Sequence, residues 1–88
     1  MDVLVTVPKG YDLSAKMYSD LCFWRVRGTP RMTQKGAKMY FIHDGEVALE
    51  ADVVGVGDGY IEFADLKYLP KPRESHPSFR GIRYKEGS

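Results

Sequence analysis

The stretch that most constrains the fold runs over residues 38–63, where three apolar segments are separated by two tight turns. The first turn is Asp44-Gly45, a pair that tolerates the positive φ angles of a two-residue hairpin loop. After it, residues 47–54 alternate between inward and outward side chains, and a second turn at 57–59 leads into another apolar segment. Alternation bounded by such turns is typical of strands. The stretch therefore predicts an antiparallel meander of three strands.

The alternation also predicts which side chains of the meander point into the core. Successive side chains of a strand point to opposite faces, so Glu50 and Asp52 are expected to leave the core face. That face is predicted to receive the apolar set Val47, Leu49, Ala51 and Val53. The segment before the first turn is apolar on both faces, which predicts a central strand covered on each side. On it we expect Phe41 in the core and Tyr40 on the opposite face, with an accessible hydroxyl group.

The segments around the meander predict an α+β fold. Residues 2–7 are rich in β-branched side chains and predict a strand. Asp12 is a suitable N-cap, and apolar residues at a spacing of four predict one helix of about three turns: Leu13, Met17 and Leu21. Residues 22–27 and 79–84 predict further strands. We therefore expect a single domain over residues 1–88, with a twisted, partly closed antiparallel sheet of five or six strands and one main helix.

Size and composition exclude several classes of protein. A chain of 88 residues, 43% hydrophobic and 28% charged, suits one globular domain rather than a disordered segment. No apolar run approaches the roughly 18 residues that span a bilayer, and no signal-peptide pattern is present, so we expect a cytoplasmic monomer that does not contact membranes. The lone Cys22 cannot form an internal disulfide bond. His43 and His76 lie far apart with no third ligand evident, so neither a metal nor another cofactor is expected.

Charge is strongly segregated along the chain. Residues 9–38 carry seven Lys or Arg against two Asp, whereas residues 39–69 carry one Lys against seven Asp or Glu. Residues 70–88 are basic again, with five Lys or Arg against two Glu. Such a distribution either creates a positive patch for an anionic partner or neutralises itself between neighbouring strands.

Two arginines alternate along residues 22–27. Cys22, Trp24 and Val26 share one face there, which leaves Arg25 and Arg27 together on the other. Guanidinium groups on alternate strand residues lie roughly 7 Å apart, near the spacing of successive phosphates. The alternative is a solvated face on which these arginines pair with Glu50 or Asp52.

The order of these segments resembles the PUA-like superfamily, most closely the small ASCH domains, with EVE domains next. The stretch from Gly36 to Phe41 looks like the family's approach to its central strand, although Ala37 replaces the usual Asp. The resemblance covers nearly the whole chain. It implies a β pseudo-barrel with one main helix, which binds RNA or modified bases in a cleft beside the barrel.

The sequence departs from one pattern of that family. ASCH domains commonly carry Gly-x-Lys-x-x-Glu-x-Arg near the second strand, and some small members use the Lys and Glu in amide hydrolysis. In residues 20–25 of this chain, Arg25 matches the final Arg of the pattern, but the Lys and the Glu of the pattern are absent. We therefore assign no catalytic residues.

The favoured function is that of a nucleic-acid-binding module, with RNA, or a nucleic acid containing a modified nucleotide, as the partner. Phosphate contacts are expected from Arg25, Arg27, Arg31, Lys35 and Lys38, flanked by Arg80 and Arg83. Base contacts are expected from Tyr40, Tyr84 and Phe23, and Trp24 is expected in the core.

Three alternatives remain from the sequence. One is a small amidohydrolase acting on acylated nucleosides, with Lys35 or Lys38 and Glu50 as a rearranged site. Another is a reader of modified bases in DNA. The third is a protein–protein adaptor that uses the acidic hairpin.

Overall fold

The computed structural model describes residues 1–13 and 21–85, which form six β-strands in one sheet. The strands are β1 (Asp2–Thr6), β2 (Cys22–Arg25), β3 (Lys38–His43), β4 (Glu46–Gly57), β5 (Tyr60–Tyr68) and β6 (Ile82–Lys85). Their order across the sheet is β2-β5-β4-β3-β1-β6. β1 lies parallel to β3, and every other neighbouring pair is antiparallel. The described chain is therefore an open, mixed sheet with β2 and β6 at its edges.

The prediction of an α+β fold with one main helix is wrong for the part of the chain that the structure describes, which is all-β. Most of the predicted helix falls on residues 14–20, outside the described residues. Its two described ends do not share one apolar face, because Leu13 is 7% exposed and Leu21 is 48% exposed. A spacing of four over so short a segment is a weak signal. The predicted antiparallel pseudo-barrel is likewise corrected to an open sheet that contains a parallel pair.

The predicted meander is confirmed. β3, β4 and β5 are consecutive in the chain and adjacent in the sheet. Asp44 and Gly45 join β3 to β4 with φ angles of 52° and 76°, the conformation that a tight hairpin turn requires and that few other residue pairs adopt at low cost. Residues 58–59 form the second turn, between β4 and β5.

Both faces of β3 are covered, as its sequence predicts. On one face Met39 and Phe41 belong to the main core cluster, and both are fully buried. On the other face Ile42 joins a smaller cluster with Leu4 and Val47, to which partly buried side chains from the segment after β5 add cover. We call these the inner face and the outer face of the sheet.

A β-bulge changes the predicted register near the first turn. Phe41 faces Leu49 but Ile42 faces Val47, so Ala48 is an extra residue in β4. Ala48 therefore joins the main core cluster and Val47 turns to the outer cluster. The prediction for Val47 is wrong, whereas those for Leu49, Ala51 and Val53 are confirmed.

The sheet curls around Phe41. The Phe41 ring lies edge-on to Phe63, with 5.4 Å between centroids, and edge-on to Trp24, with 5.3 Å. β4 and β5 stand between β3 and β2 in the sheet, so in a flat sheet those strands would be about 14 Å apart. Contact between Phe41 and Trp24 therefore requires that β2 bend over the inner face.

Replacing Phe41 by Ala should lower the free energy of unfolding by about 3–5 kcal/mol, because the change loses buried apolar surface and leaves a cavity. Urea denaturation measures the difference. Phe23→Ala is the matched control, since Phe23 is 52% exposed and its truncation should cost far less. A loss for Phe41→Ala no larger than that of the control would contradict the assignment of Phe41 as the centre of the core.

Candidate nucleic-acid interface

The two edges of the curled sheet border a cleft of about 500 Å³. We call it the edge cleft. One wall comes from β2 and the residue after it, another from the end of β1 and the residues that follow, and the third from the segment that leads into β6. The residues that line it are Phe23, Trp24, Arg25, Val26, Thr6, Pro8, Tyr11, Phe79, Gly81 and Ile82.

Aromatic rings line the edge cleft at both faces of the sheet. On the inner side, Trp24 packs against the core and its ring lies 5.6 Å from that of Tyr11, centroid to centroid. On the outer side, Phe23 is half exposed, and Phe79 packs against the outer cluster. The backbone N–H of Phe79 donates a 3.2 Å hydrogen bond to the Thr6 hydroxyl group, which ties this segment to β1. A flat ring in the cleft would have aromatic neighbours on each side.

Arg25 lines the edge cleft from the outer face of β2, as the alternation predicts. Within residues 1–13 and 21–85, neither Arg25 nor Arg27 forms an ion pair. The alternative prediction is that these arginines pair with Glu50 or Asp52 of β4. However, β2 pairs with β5 and not with β4. The two acids in question take other partners: Glu50 lies 3.5 Å from Lys67, and Asp52 lies 2.5 Å from Lys38. Both guanidinium groups are exposed and available to an anion.

The opposite side of the edge cleft carries the flanking arginines. Arg80 is exposed and sits between Phe79 and Gly81, two residues that line the cleft. The Arg83 guanidinium lies over the Phe79 ring at 4.5 Å from its centroid. Tyr84, by contrast, is only partly exposed and packs against the inner core cluster, and it does not line the edge cleft.

The structure does not bring Lys38 and Tyr40 to the edge cleft. Both lie on the outer face of β3, near the middle of the sheet. β4 and β5 separate them from β2 on one side, and β1 separates them from β6 on the other. The Lys38 ammonium group bonds Asp52, and its backbone N–H donates to the Asp2 carboxylate at 2.9 Å. The Lys85 ammonium group lies 5.3 Å from the centroid of the half-buried Tyr40 ring. These contacts form a separate surface.

Two groups at this separate surface, Lys38 and Tyr40, have raised pKa values. The hydrogen bond to Asp52 raises the pKa of Lys38, against a smaller opposing effect of burial. Burial raises the pKa of Tyr40, and the negative charges of Asp2 and Glu50 add to the effect. Both groups therefore hold their protons more tightly in the folded protein than in the unfolded chain.

The connection between β2 and β3 carries the remaining predicted cations. Arg31 and Lys35 are exposed there. The end of the connection is fixed to β4, since Gly36 donates a backbone hydrogen bond to Val53 at 3.1 Å and Val53 donates one to Ala37 at 2.9 Å. No contact among the described residues brings Arg31 or Lys35 to the edge cleft.

Sequence reasoning missed three aromatic residues of the edge cleft. Trp24 was assigned to the core, which is correct for the part of its ring that meets Phe41, but it also lines the cleft. Tyr11 lies in a segment with no periodic pattern. Phe79 belongs to the predicted strand over residues 79–84, but β6 begins only at Ile82. Nothing local marks either residue as a neighbour of β2. Only the curl of the sheet brings them together.

Comparison with known proteins gives no family. A scan against protein-family models and searches of curated proteins and of solved structures return no match to this chain. In residues 1–13 and 21–85, no three His, Cys, Asp or Glu side chains converge as a metal site would require. Nor does that part of the chain contain a helix with the length and apolar character to cross a membrane. The resemblance to ASCH domains stays a prediction.

Replacing Lys38 by Met should reduce the loss of stability at alkaline pH. A raised pKa in the folded state stabilises the fold fully below the ordinary value of about 10, and this contribution is lost as pH rises through the raised value. Urea denaturation at about pH 9 and about pH 11 should therefore show a steeper fall in the free energy of unfolding for the wild type than for Lys38→Met. The Lys38 and Asp52 side chains are 43% and 48% exposed, so the difference should stay below about 1 kcal/mol.

Lys9→Met serves as the control for that comparison, because it also removes one lysine but at an exposed position. A fall for Lys38→Met as steep as that of the wild type would mean that the bond to Asp52 does not stabilise the fold in solution.

Proposed function

We propose that the protein binds single-stranded nucleic acid, RNA in preference, and that one unpaired nucleotide occupies the edge cleft. The observation that carries this proposal is the combination of aromatic rings that line the cleft with an exposed arginine, Arg25, at its rim. A nucleotide has the matching chemistry, since it joins a flat aromatic base to an anionic phosphate.

The size and lining of the cleft support a nucleotide as the ligand. A volume of about 500 Å³ lies within the range of small-molecule sites, roughly 300–1,000 Å³. Stacking of a base on an aromatic side chain contributes about 1–3 kcal/mol and is nearly independent of the base. Phe23 supplies an exposed outer ring, and Tyr11 and Trp24 supply the inner ones. Phe79 lines the outer side with the Arg83 guanidinium group over its ring.

Arginines on both sides of the cleft can bind the phosphates of the nucleic acid. Arg25 and Arg27 stand on the β2 side, and Arg80 and Arg83 stand on the β6 side. The planar fork of arginine fits a phosphate with two parallel hydrogen bonds. When one nucleotide of an RNA inserts its base into the cleft, the phosphates on both sides of that nucleotide therefore lie near arginines.

Other predicted contacts take a lesser part in this proposal. Lys38 is held by Asp52, and Tyr40 lies on the separate surface. Arg31 and Lys35 can reach phosphates only on a longer strand. The preference for RNA over DNA rests on the resemblance to ASCH domains. A cytoplasmic monomer without a cofactor stays a prediction from the sequence.

The double variant Arg25→Gln/Arg27→Gln should bind short single-stranded RNA at least about tenfold more weakly, because each charge-assisted hydrogen bond contributes more than about 1 kcal/mol. Fluorescence anisotropy of a labelled oligonucleotide at several salt concentrations measures both affinity and its salt dependence. If each arginine neutralises one phosphate, the slope of log K against log salt should become shallower by about 1.4. Urea denaturation should show nearly unchanged stability, because both side chains are exposed and form no ion pair with another described residue.

The matched control is Lys38→Gln/Lys67→Gln, which also removes two positive charges, but from ion pairs with Asp52 and Glu50. It should keep most of the affinity and the original salt slope. Binding that is insensitive to salt, or an equal loss in the control, would contradict the proposed site.

A further inference from the structure

The main chain of β2 presents hydrogen-bonding groups to the edge cleft. Val26 donates its backbone N–H to Gly59 at 3.0 Å, and Trp24 faces Ile61 in the same register. In an antiparallel pair, the backbone groups of successive residues point alternately toward the partner strand and away from it. Those of Trp24 and Val26 therefore point toward β5. Those of Phe23 and Arg25 point away from it, into the cleft that both residues line.

These groups have no partner within the described residues. β2 is an edge strand whose ladder partner there is β5, and no hydrogen bond of the described chain reaches the backbone of Phe23 or Arg25 from the other side. The Phe23 carbonyl group and the Arg25 N–H flank the same residue, so an acceptor and a donor stand next to each other on the open edge.

The opposite side of the cleft has a similar open edge. Val7 donates its backbone N–H to Ile42 at 2.8 Å, so alternate residues of β1 bond β3 and those between them, such as Leu4, bond β6. Leu4 pairs with Arg83 and Val5 pairs with Ile82, which directs the backbone of Ile82 away from β1. Ile82 also lines the cleft.

The Watson–Crick edge of every base offers a donor beside an acceptor. Uracil presents N3–H beside O4, adenine N6–H beside N1, cytosine N4–H beside N3, and guanine N1–H beside O6. A base that lies in the plane of the sheet, with this edge against β2, would give its donor to the Phe23 carbonyl group and accept from the Arg25 N–H. The same orientation places the aromatic rings of the cleft above and below it.

We propose, on the basis of the proposed function, that the main-chain edge of β2 at Phe23 and Arg25 pairs with the Watson–Crick edge of the inserted base. The site then accepts any of the four bases, because the backbone pattern is common to all of them. It rejects a base whose Watson–Crick edge is occupied, whether by a complementary strand or by a methyl group. Selection for single strands is thus made by hydrogen bonds as well as by access.

Three RNA oligonucleotides that differ at one uridine test this proposal: unmodified, N3-methylated and C5-methylated. The N3-methyl group removes the donor and blocks the Watson–Crick edge, whereas the C5-methyl group adds the same bulk outside that edge and leaves N3–H and O4 free. We expect N3-methylation to weaken binding about tenfold or more and C5-methylation to change it by less than about threefold. The uridine is placed in an abasic context, so that no other base can take the site.

A pair of variants tests the main-chain donor itself. Arg25→Gln removes the guanidinium group and keeps the N–H, whereas Arg25→Pro removes both, and proline is tolerated on an edge strand where the N–H faces outward. Arg25→Gln should retain the ratio between the dissociation constants for the N3-methylated and the unmodified RNA, and Arg25→Pro should bring that ratio close to one. If Arg25→Pro does not fold, as judged by its thermal unfolding, the oligonucleotide comparison decides the question alone.

The outcomes separate this inference from the proposed function. Equal binding of the N3-methylated and unmodified RNA would overturn the pairing with β2 and leave the edge cleft as a stacking site. Absence of binding by all three RNAs at low salt would overturn the proposed function, and this inference with it. Weaker binding of the C5-methylated RNA than of the N3-methylated one would also contradict the pairing, since it would show that the edge of the base that carries C5, rather than its Watson–Crick edge, meets β2.

Discussion

The contact between Phe41 and Trp24 is the interaction on which the shape of this protein depends. Phe41 belongs to the central strand and Trp24 to an edge strand, yet their rings meet edge to face on the inner side of the sheet. A sheet that brings these strands into contact must curl, and the natural twist of β-sheets supplies part of that curl. Once β2 bends over the core, its free edge approaches the residues that lead into β6, and the edge cleft lies between them. The Trp24 ring therefore packs in the core and also lines the edge cleft.

Open sheet edges are a liability that a small β protein has to manage. Exposed backbone groups invite pairing with other chains, and short edge strands with charged side chains reduce that risk. β2 and β6 are each four residues long, and the arginines that flank the cleft stand on or beside them. In the proposed function, the same arginines also contact the phosphates of a nucleic acid. One set of residues would then protect the edges and bind the ligand.

Local patterns in the sequence predicted the strands of the meander, but they also predicted a helix that the described residues do not show, and they did not predict how the other strands join the sheet. The turn at Asp44-Gly45, the burial of Phe41 and the outward position of Arg25 all follow from φ preferences and from a side-chain period of two, which neighbouring residues determine. The bulge at Ala48 reverses Val47, and no local signal marks it, because a bulge is settled by packing against two strands at once. Parallel pairing of β1 with β3, and hence the position of β6, depends on contacts distant in sequence.

The candidate site also combines residues that local patterns assign with residues that only contacts distant in sequence bring together. Arg25 could be assigned from its strand, but Lys38 and Tyr40 share its basic or aromatic character and lie on another surface, since charge in the sequence carries no information about strand order. Phe79 and Tyr11 line the cleft although no local pattern assigns them to it, because only the curl of the sheet brings them close to β2.

The most direct test of the account is a map of backbone amide shifts during titration of the ¹⁵N-labelled protein with short single-stranded RNA at low salt. The chain contains one tryptophan, so the single indole N–H signal of Trp24 reports on the inner wall of the cleft. Binding at the edge cleft predicts the largest shifts at Phe23, Trp24 and Arg25, and in residues 79–83, with small changes around Lys38 and Tyr40. Shifts centred on Lys38 and Tyr40, with β2 unaffected, would contradict it.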